Sequence, residues 1–271
     1  MTTTEPHLAP RPSLHHRALR TTRDSLTMLD RNLRHTRRSP DTMIMTLALP
    51  IVILLMFVYV FGGAMNTGDG AYIDYVVPGI ILLCAGFGSA TTAVSIAVDL
   101  SEGIVDRFRA MDIARSAMLT GHVAESVLRN LVTTGIVIVL AVALGFRPTA
   151  DPLRWVGALA VIAMFVLALS WVAAALGLLA RNPEAANGFT FAFMFLPYVS
   201  SAFVPTETMP TALHAFAENQ PVTPVIETVR GLLMGTPIGE SAVLAVAWCA
   251  GIAAVGYAAA RVLFHRRATT G

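Results

Sequence analysis

The run MIMTLALPIVILLMFVYVFGG, residues 43–63, carries no charged side chain and lies between Asp41 and Asp69. A helix needs about 20 mainly apolar residues to cross the hydrocarbon core of a bilayer, and this run has that length. About 40 mostly polar residues precede it, more than the n-region of a usual signal peptide contains. We therefore predict that the run stays in the membrane as an anchor.

Five further apolar stretches follow the first one. Together they predict six transmembrane helices at about 42–63, 75–98, 120–146, 155–180, 186–204 and 240–262. Hydrophobic residues make up 55% of the chain and charged residues 13%, against roughly 45–50% and about 25% in an average globular protein. A soluble fold would have too few charges to cover its surface, so the sequence predicts an all-α integral membrane protein. Pro197 and two other prolines fall in or beside spans and predict kinks.

The third span is short between its flanking arginines and reaches the required length only if it extends back past Arg129. We expect Arg129 to lie near the inner end of this span, where its long side chain can reach the headgroups.

The distribution of arginine predicts the orientation of the chain. With the N-terminus inside, the cytoplasmic segments hold fifteen arginines and the outer segments three, and basic residues favour the cytoplasmic side. We therefore expect both termini in the cytoplasm. The predicted organisation is a tail with an amphipathic helix at 1–40, a six-span domain at 41–265 and a second tail at 266–271.

Three segments between or before the spans have patterns of their own. Residues 14–40 place leucines on one helical stripe with arginines on the other faces, which predicts a helix lying in the inner interface. Residues 101–121 carry charges of both signs and an apolar ridge of Ile104, Phe108 and Met111, typical of a short helix that docks into a partner. The outer segment 205–240 contains TALHAFAEN and PVIETVRGLLM, which predict two short re-entrant helices closed by Gly235.

All nineteen basic residues are arginine. The phosphate-binding loop GxxxxGK[ST] requires a lysine that reaches the β and γ phosphates, so this chain has no such loop. Any ATP hydrolysis through that loop must occur on another chain. The two cysteines, Cys84 and Cys249, each lie in an apolar run, which favours buried small hydrophobic residues over a disulfide or a metal site.

Two stretches resemble the membrane-spanning permeases of type-2 ABC exporters, in particular the daunorubicin-resistance-like branch. SEGIVDRFRAMDIARSAMLTGHVAESVLRN, residues 101–130, resembles the coupling loop and the entry to the third span of that family. NQPVTPVIETVRGLLMG, residues 219–235, resembles the segment before the last span. The resemblance implies a bacterial plasma-membrane subunit that moves a hydrophobic or amphipathic drug, antibiotic or lipid outward.

The resemblance also implies partners. Members of the family pair with a second permease, either the same chain or a related one, and with two copies of a separate ATPase subunit that binds ATP and Mg²⁺. We therefore expect this chain to bind no cofactor, metal or nucleic acid itself and to contact membrane lipids. The expected ATPase contact comprises Glu102, Gly103, Asp106, Arg107, Phe108, Arg109 and Met111. Many relatives have proline where this chain has Asp112, so the resemblance does not define the residue at which the coupling helix ends.

In the family, spans one, two and five line the substrate path. The aromatic residues on those spans are the expected path residues here, since aromatic side chains suit an amphipathic or lipid-like substrate. They are Phe57, Tyr59, Phe61, Phe87, Phe191, Phe195 and Tyr198. For any single one of them, packing against lipid or protein is an equally good explanation.

Two other classes of protein stay open on the residues alone. A secondary transporter is expected to carry an acidic residue or a cation site at the membrane midplane, and no Asp or Glu lies at the middle of a predicted span. An intramembrane enzyme needs a nucleophile with a base, or metal ligands. The sequence has neither HExxH nor GxSxG, and the histidines nearest the spans, His122, His214 and His265, lie at their edges.

Overall fold

The computed structural model of the chain describes residues 40–63, 71–102 and 115–270. The amphipathic helix predicted before Pro40 and most of the predicted coupling helix, residues 103–114, lie outside these residues. Every regular element within them is helical. The elements are α1 (Pro40–Leu55, continued by a π-helical turn Met56–Phe61), α2 (Tyr72–Ser101), α3 (Arg115–Ala143), α4 (Pro152–Leu179), α5 (Pro183–Met194), α6 (Thr211–Asn219), α7 (Val222–Met234) and α8 (Ser241–Thr270).

Four of these helices are long and apolar enough to cross a bilayer. They are Tyr72–Ser101, Met118–Ala143, Pro152–Leu179 and Ser241–Arg266. A shorter apolar helix covers Leu47–Phe61. The prediction of an all-helical membrane protein is confirmed, and four of the six predicted spans coincide with these long helices.

The fifth predicted span, 186–204, is not one continuous helix. Helix α5 ends at Met194, and a 3₁₀ turn follows at Leu196–Val199. Pro197 lies in that turn; it has no N–H for the next helical hydrogen bond, and its ring would meet the carbonyl four residues earlier. The kink predicted from Pro197 is therefore a helix end, and the chain turns back through residues 200–203.

Helix α2 is the central element of the bundle. It packs against α1, α3, α4, α5 and α7, and most of its side chains are buried. Small residues allow the close approach of neighbouring backbones, as is usual between membrane helices. A Cβ atom at Gly79 would lie 2.6 Å from the Cβ of Ala202, so the turn after Pro197 rests directly on α2. Helix α8 packs against α4 and α7.

The two short helices predicted within residues 205–240 begin and end close to where the sequence predicts. Helix α6 covers TALHAFAEN, and α7 follows after Gln220 and Pro221. Gly235 ends α7 in the left-handed conformation with φ of 73°, which glycine adopts without steric cost. One face of α7, with Val225, Ile226 and Val229, is fully buried in the main core. Both cysteines are free and buried, as predicted.

Candidate functional site

Six aromatic side chains form a continuous row across the end of α1 and the region around the Pro197 turn. The contacts between ring centroids are Phe61–Phe57 at 5.3 Å, Phe57–Phe203 at 4.3 Å, Phe203–Tyr198 at 5.4 Å, Tyr198–Phe195 at 6.3 Å and Phe195–Phe191 at 5.1 Å. Four of these separations lie within the range of about 4.5–7 Å that aromatic pairs prefer, and the stacked Phe57–Phe203 pair is slightly closer. We call these six residues the aromatic row.

The row is anchored at its centre and exposed toward both ends. Phe203 is buried and Phe57 half-buried, and the two rings stack on each other. Phe191 and Phe195 are more than half exposed, while Tyr198 and Phe61 are exposed to about the same smaller extent. The row therefore presents a broad aromatic surface that no other described part of this chain covers.

The structure brings together five of the seven residues expected to line a path. Phe57, Phe61, Phe191, Phe195 and Tyr198 all belong to the aromatic row.

The other two lie elsewhere. Tyr59 projects from the π-helical turn and is the most exposed aromatic residue of that segment, while Phe87 packs against the core from α2. Sequence reasoning missed Phe203, because a continuous helix over 186–204 would not bring it back toward Tyr198. The sequence signal for the position of Phe203 was Pro197, which lies where the helix ends and is not merely a kink within it.

Side chains of the outer segment hold the Pro197 turn in place. Gln220 Nε2 donates to the carbonyl oxygens of Leu196, at 3.2 Å, and Val199, at 2.6 Å. Arg230 of α7 donates to Ser201 O at 2.6 Å and to Tyr75 O at 3.2 Å.

The guanidinium of Arg230 also lies 3.9 Å from the centre of the Tyr75 ring, a favourable cation–π geometry. Burial lowers the pKa of Arg230 from its usual range, and the neighbouring Tyr75 and Glu227 oppose that shift. From the sequence alone, Arg230 was only one of three outer arginines. The structure makes it the residue that ties α7, α2 and the turn together.

A second group of polar and ionisable side chains is buried between α2, α3 and α4. His122 Nε2 and Asp99 Oδ2 lie 3.0 Å apart, and Arg129 pairs with Glu125 one helical turn away. Arg129 Nη2 also donates to Gly88 O at 3.0 Å and to Thr91 Oγ1 at 2.7 Å. On the side toward α4, Ser126 and Ser170 share a hydrogen bond of 2.8 Å. We call these residues with Asn130 the buried polar cluster.

The position of Arg129 corrects the expectation drawn from the sequence. It lies at the middle of α3, fourteen residues from each end, and is only 9% exposed. A lone charge at this depth would be costly, but Glu125 balances it, and oxygen atoms of α2 accept its N–H groups. Arg129 is therefore paired inside the helix bundle and does not extend to the lipid headgroups.

Of the residues expected to contact an ATPase, the structure describes only Glu102. Glu102 is exposed at the end of α2, where its N–H donates to Val98 O at 2.9 Å. Gly103, Asp106, Arg107, Phe108, Arg109 and Met111 lie outside the described residues. The Asp99–His122 pair joins α2 and α3 three residues before Glu102, so it links the two helices that lead into this segment.

The sequence matches proteins of one family along most of its length. Residues 24–234 match the family described as ABC-2 type transporter. Over 213 residues the chain is 32% identical to the daunorubicin resistance ABC transporter permease protein DrrB1 of Streptomyces coeruleorubidus, covering 78% of this chain and 75% of that protein. Over 252 residues it is 27% identical to the probable doxorubicin resistance ABC transporter permease protein DrrC of Mycobacterium tuberculosis, covering 90% and 89%. The family match therefore begins before α1 and ends with α7.

Proposed function

The chain belongs to the ABC-2 type transporter family, and we propose that it carries the path by which a hydrophobic or amphipathic compound leaves the cell. As the permease subunit of an ABC transporter, it does not hydrolyse ATP itself, and the ATPase activity resides on a separate nucleotide-binding subunit. Daunorubicin and doxorubicin, which appear in the names of its relatives, are the first compounds to test. Both are drugs, in keeping with the antibiotic or drug substrate expected from the sequence.

The working unit in this proposal is a complex in the bacterial plasma membrane, with two permease chains and two ATPase subunits that bind ATP and Mg²⁺. With six spans, both termini of each permease lie on the same side of the membrane, which in this proposal is the cytoplasm. Four long helices, the shorter α1 and the α5 region supply six apolar segments. The excess of arginine on one side supports this orientation. The second permease is another copy of this chain or a related chain.

The observation that carries the proposal is the aromatic row. Aromatic rings offer a large apolar area together with polar edges, which suits compounds that are neither fully apolar nor charged. The row lies on the first span and on the α5 region, is exposed along most of its length and is covered by no described residue of the same chain. In the proposed complex it faces the second permease, and the compound passes between the two rows.

Coupling to the ATPase is assigned to the segment between α2 and α3. Glu102 and Gly103 begin it, and the contact is made by Asp106, Arg107, Phe108, Arg109 and Met111. A push on this segment moves α2 and α3 together, because the Asp99–His122 and Arg129–Gly88 contacts connect the two helices. Helix α2 in turn supports the Pro197 turn through the close contact of Gly79 with Ala202.

The experiment is to co-express the chain with its ATPase partner and to measure doxorubicin export together with ATP hydrolysis in membrane vesicles. Phe108→Ala is expected to lower both while leaving the amount of permease in the membrane unchanged. The matched control is Phe216→Ala, which removes an exposed phenylalanine from α6 in the outer segment. Unchanged export and hydrolysis after replacement of residues 103–114 by a Gly-Ser linker would refute the coupling assignment.

A further inference from the structure

A pocket of about 290 Å³ lies where α3, α4 and α8 meet, at the end of the bundle where α2 ends and α3 begins. Three polar side chains, Thr120, Arg261 and His265, line it together with apolar and aromatic ones. No aspartate or glutamate is among the described residues that line it. We call it the arginine pocket.

The apolar part of the arginine pocket is a fixed surface. Leu119 and Phe264 are 4% and 7% exposed and belong to an apolar core that α2, α3, α4 and α8 share. The rings of Trp171 and Tyr257 meet edge to face, with 4.9 Å between their centroids, a favourable aromatic geometry. Tyr257 is nevertheless 44% exposed, so part of this aromatic surface is open to contact from outside the chain.

The position of the pocket along α8 places it at the membrane surface. Arg261 lies twenty residues after Ser241, the first residue of α8, which is about 30 Å along a helix. The hydrocarbon core of a bilayer is about 30 Å thick, so Arg261 lies at headgroup level when α8 spans the membrane. Tyr257, one turn earlier on the same face, lies at the border with the hydrocarbon, where tyrosine and tryptophan are enriched in membrane proteins.

Arg261 differs in its partners from the other arginine of the bundle interior. Arg129 is buried and paired with Glu125, whereas Arg261 is exposed and has no carboxylate partner among the residues that the structure describes. A guanidinium presents several N–H donors in a planar fork that matches the oxygen atoms of a phosphate. His265, one turn further along α8, adds a second polar side chain at the same rim.

We propose that the arginine pocket binds the headgroup of an anionic phospholipid, with Arg261 bonding to the phosphate and the acyl chains lying along Tyr257. The inference goes beyond the proposed function and does not depend on which compound is exported. Basic pockets between membrane helices are a known form of site for anionic headgroups. A free phosphate would leave the aromatic surface uncovered, and a zwitterionic lipid would bring its own cation close to Arg261.

A lipid in this pocket contacts three helices at once. It touches the first turns of α3, the last turns of α4 and α8, and α3 begins directly after the proposed coupling segment. A ligand that binds only the folded state stabilises it by mass action. Phosphatidylglycerol should therefore raise the unfolding midpoint of the unmodified chain in nanodiscs and should raise that of Arg261→Gln less.

The direct test uses the pocket's own tryptophan in the full-length chain. Trp155→Phe and Trp248→Phe leave Trp171, which lines the pocket, as the sole tryptophan. The chain is placed in phosphatidylcholine nanodiscs that contain either phosphatidylglycerol or phosphatidylcholine with bromine atoms on the chains near the headgroup. Bromine quenches tryptophan fluorescence on contact, and we expect brominated phosphatidylglycerol to be preferred at least about fivefold over brominated phosphatidylcholine.

Substitutions of single arginines separate the pocket from general surface charge. Arg261→Gln should lower the preference for phosphatidylglycerol about fivefold, the effect of one basic residue near an anionic surface. Arg261→Lys keeps the charge and should retain most of the preference. The matched control is Arg181→Gln, because Arg181 is exposed just after the same end of α4 but does not line the pocket. It should keep the full preference.

Loss of the preference in Arg261→Gln alone supports the proposal. Equal quenching by the two brominated lipids in the unmodified chain would overturn it, as would an unchanged preference in Arg261→Gln or an equal loss in Arg181→Gln. Relief of the quenching by inorganic phosphate, but not by sodium chloride at the same ionic strength, would assign the pocket to free phosphate instead of lipid. None of these results changes the assignment of the aromatic row, which is tested by export.

Discussion

The buried polar cluster and the aromatic row differ in charge and in exposure, although both lie in the helices of one membrane protein. In the cluster, four ionisable side chains on α2 and α3 are buried and paired with each other. In the row, uncharged rings from α1 and the α5 region are exposed along most of their length. The ionisable side chains of the cluster pair within one chain, whereas the row offers its surface to something outside it.

This difference indicates which parts of the molecule stay together and which part meets a partner. Buried charges are tolerated only when each keeps its counter-charge and its hydrogen bonds, so the cluster holds α2, α3 and α4 in one relative position. Exposed aromatic contacts contribute little to the stability of the single chain and can be exchanged for contacts with a compound or a second permease. Substitutions in the cluster should therefore affect stability, and substitutions in the row should affect transport.

The largest effect is expected from Arg129→Met. The substitution keeps a long side chain but takes the guanidinium of Arg129 away from the buried Glu125 and removes the bonds to Gly88 O and Thr91. Breaking a buried pair on one side costs about 3–5 kcal/mol. We expect a large fall in the thermal unfolding midpoint of the protein in detergent and less protein in the membrane.

The double variant Glu125→Gln with Arg129→Met serves as the control for the charge. It removes both charges, so it should recover part of the lost stability. Equal destabilisation by the single and double variants would mean that the hydrogen bonds to α2, and not the ion pair, hold the cluster together. Leu128→Ala, at an exposed position of the same helix, should change the midpoint little.

A smaller effect is expected from Gly88→Ala. A Cβ atom at Gly88 would overlap the side chain of Asn130, and such overpacking costs typically about 1–3 kcal/mol. Gly86→Ala, two residues earlier on the same helix, meets nothing within 4 Å and should be neutral or stabilising, because alanine favours a helix over glycine. Thermal unfolding of the two variants side by side tests whether the cluster is closely packed. Equal unfolding midpoints would contradict close packing between Gly88 and Asn130.

Much of the fold could be predicted from the sequence because length and hydrophobicity determine where a helix can cross a bilayer. The four long spans follow this rule. The two short helices α6 and α7 were predicted from their local sequence, including the helix-ending Gly235. The α5 region could not be predicted in full, since the effect of Pro197 depends on Gln220 and Arg230, more than twenty residues away.

The candidate sites divide in the same way. The aromatic residues were predictable because they lie on apolar spans, but their assembly into a row requires Phe203 to return across the turn. In the cluster, the i, i+4 spacing of Glu125 and Arg129 was visible in the sequence. The pairing of Asp99 with His122 could not be predicted, because the two residues lie on different helices. The coupling residues from Gly103 to Met111 stay a prediction.

A still smaller effect is expected from Ser170→Ala, on the side of the cluster that faces α4. The substitution removes the 2.8 Å hydrogen bond between Ser170 and Ser126, and one such bond contributes about 1 kcal/mol. The expected result is a small decrease in the unfolding midpoint with export intact. The reciprocal Ser126→Ala is expected to have a larger effect, because the Ser126 hydroxyl also accepts a hydrogen bond from Asn130 Nδ2, at 3.4 Å, which the substitution removes as well. A loss of export without a loss of stability in Ser170→Ala would extend the proposed path into the cluster.

The smallest effect on stability is expected from Phe191→Leu at the exposed end of the aromatic row. Phe191 is 58% exposed and contacts the row through the edge of Phe195, with 5.1 Å between ring centroids. Its replacement should change the free energy of unfolding by no more than about 0.5 kcal/mol, as for most surface substitutions.

Export of doxorubicin by the same variant should nevertheless fall, because the compound loses an aromatic contact in the proposed path. Phe189→Leu is the matched control, since Phe189 lies on the same helix and is exposed to 43% but is not part of the row. If both variants export equally well, the exposed rings face lipid and the path lies elsewhere. If Phe191→Leu alone reduces export at unchanged stability, the row is separated from the cluster by function as well as by exposure, because no substitution that acts through folding produces that combination.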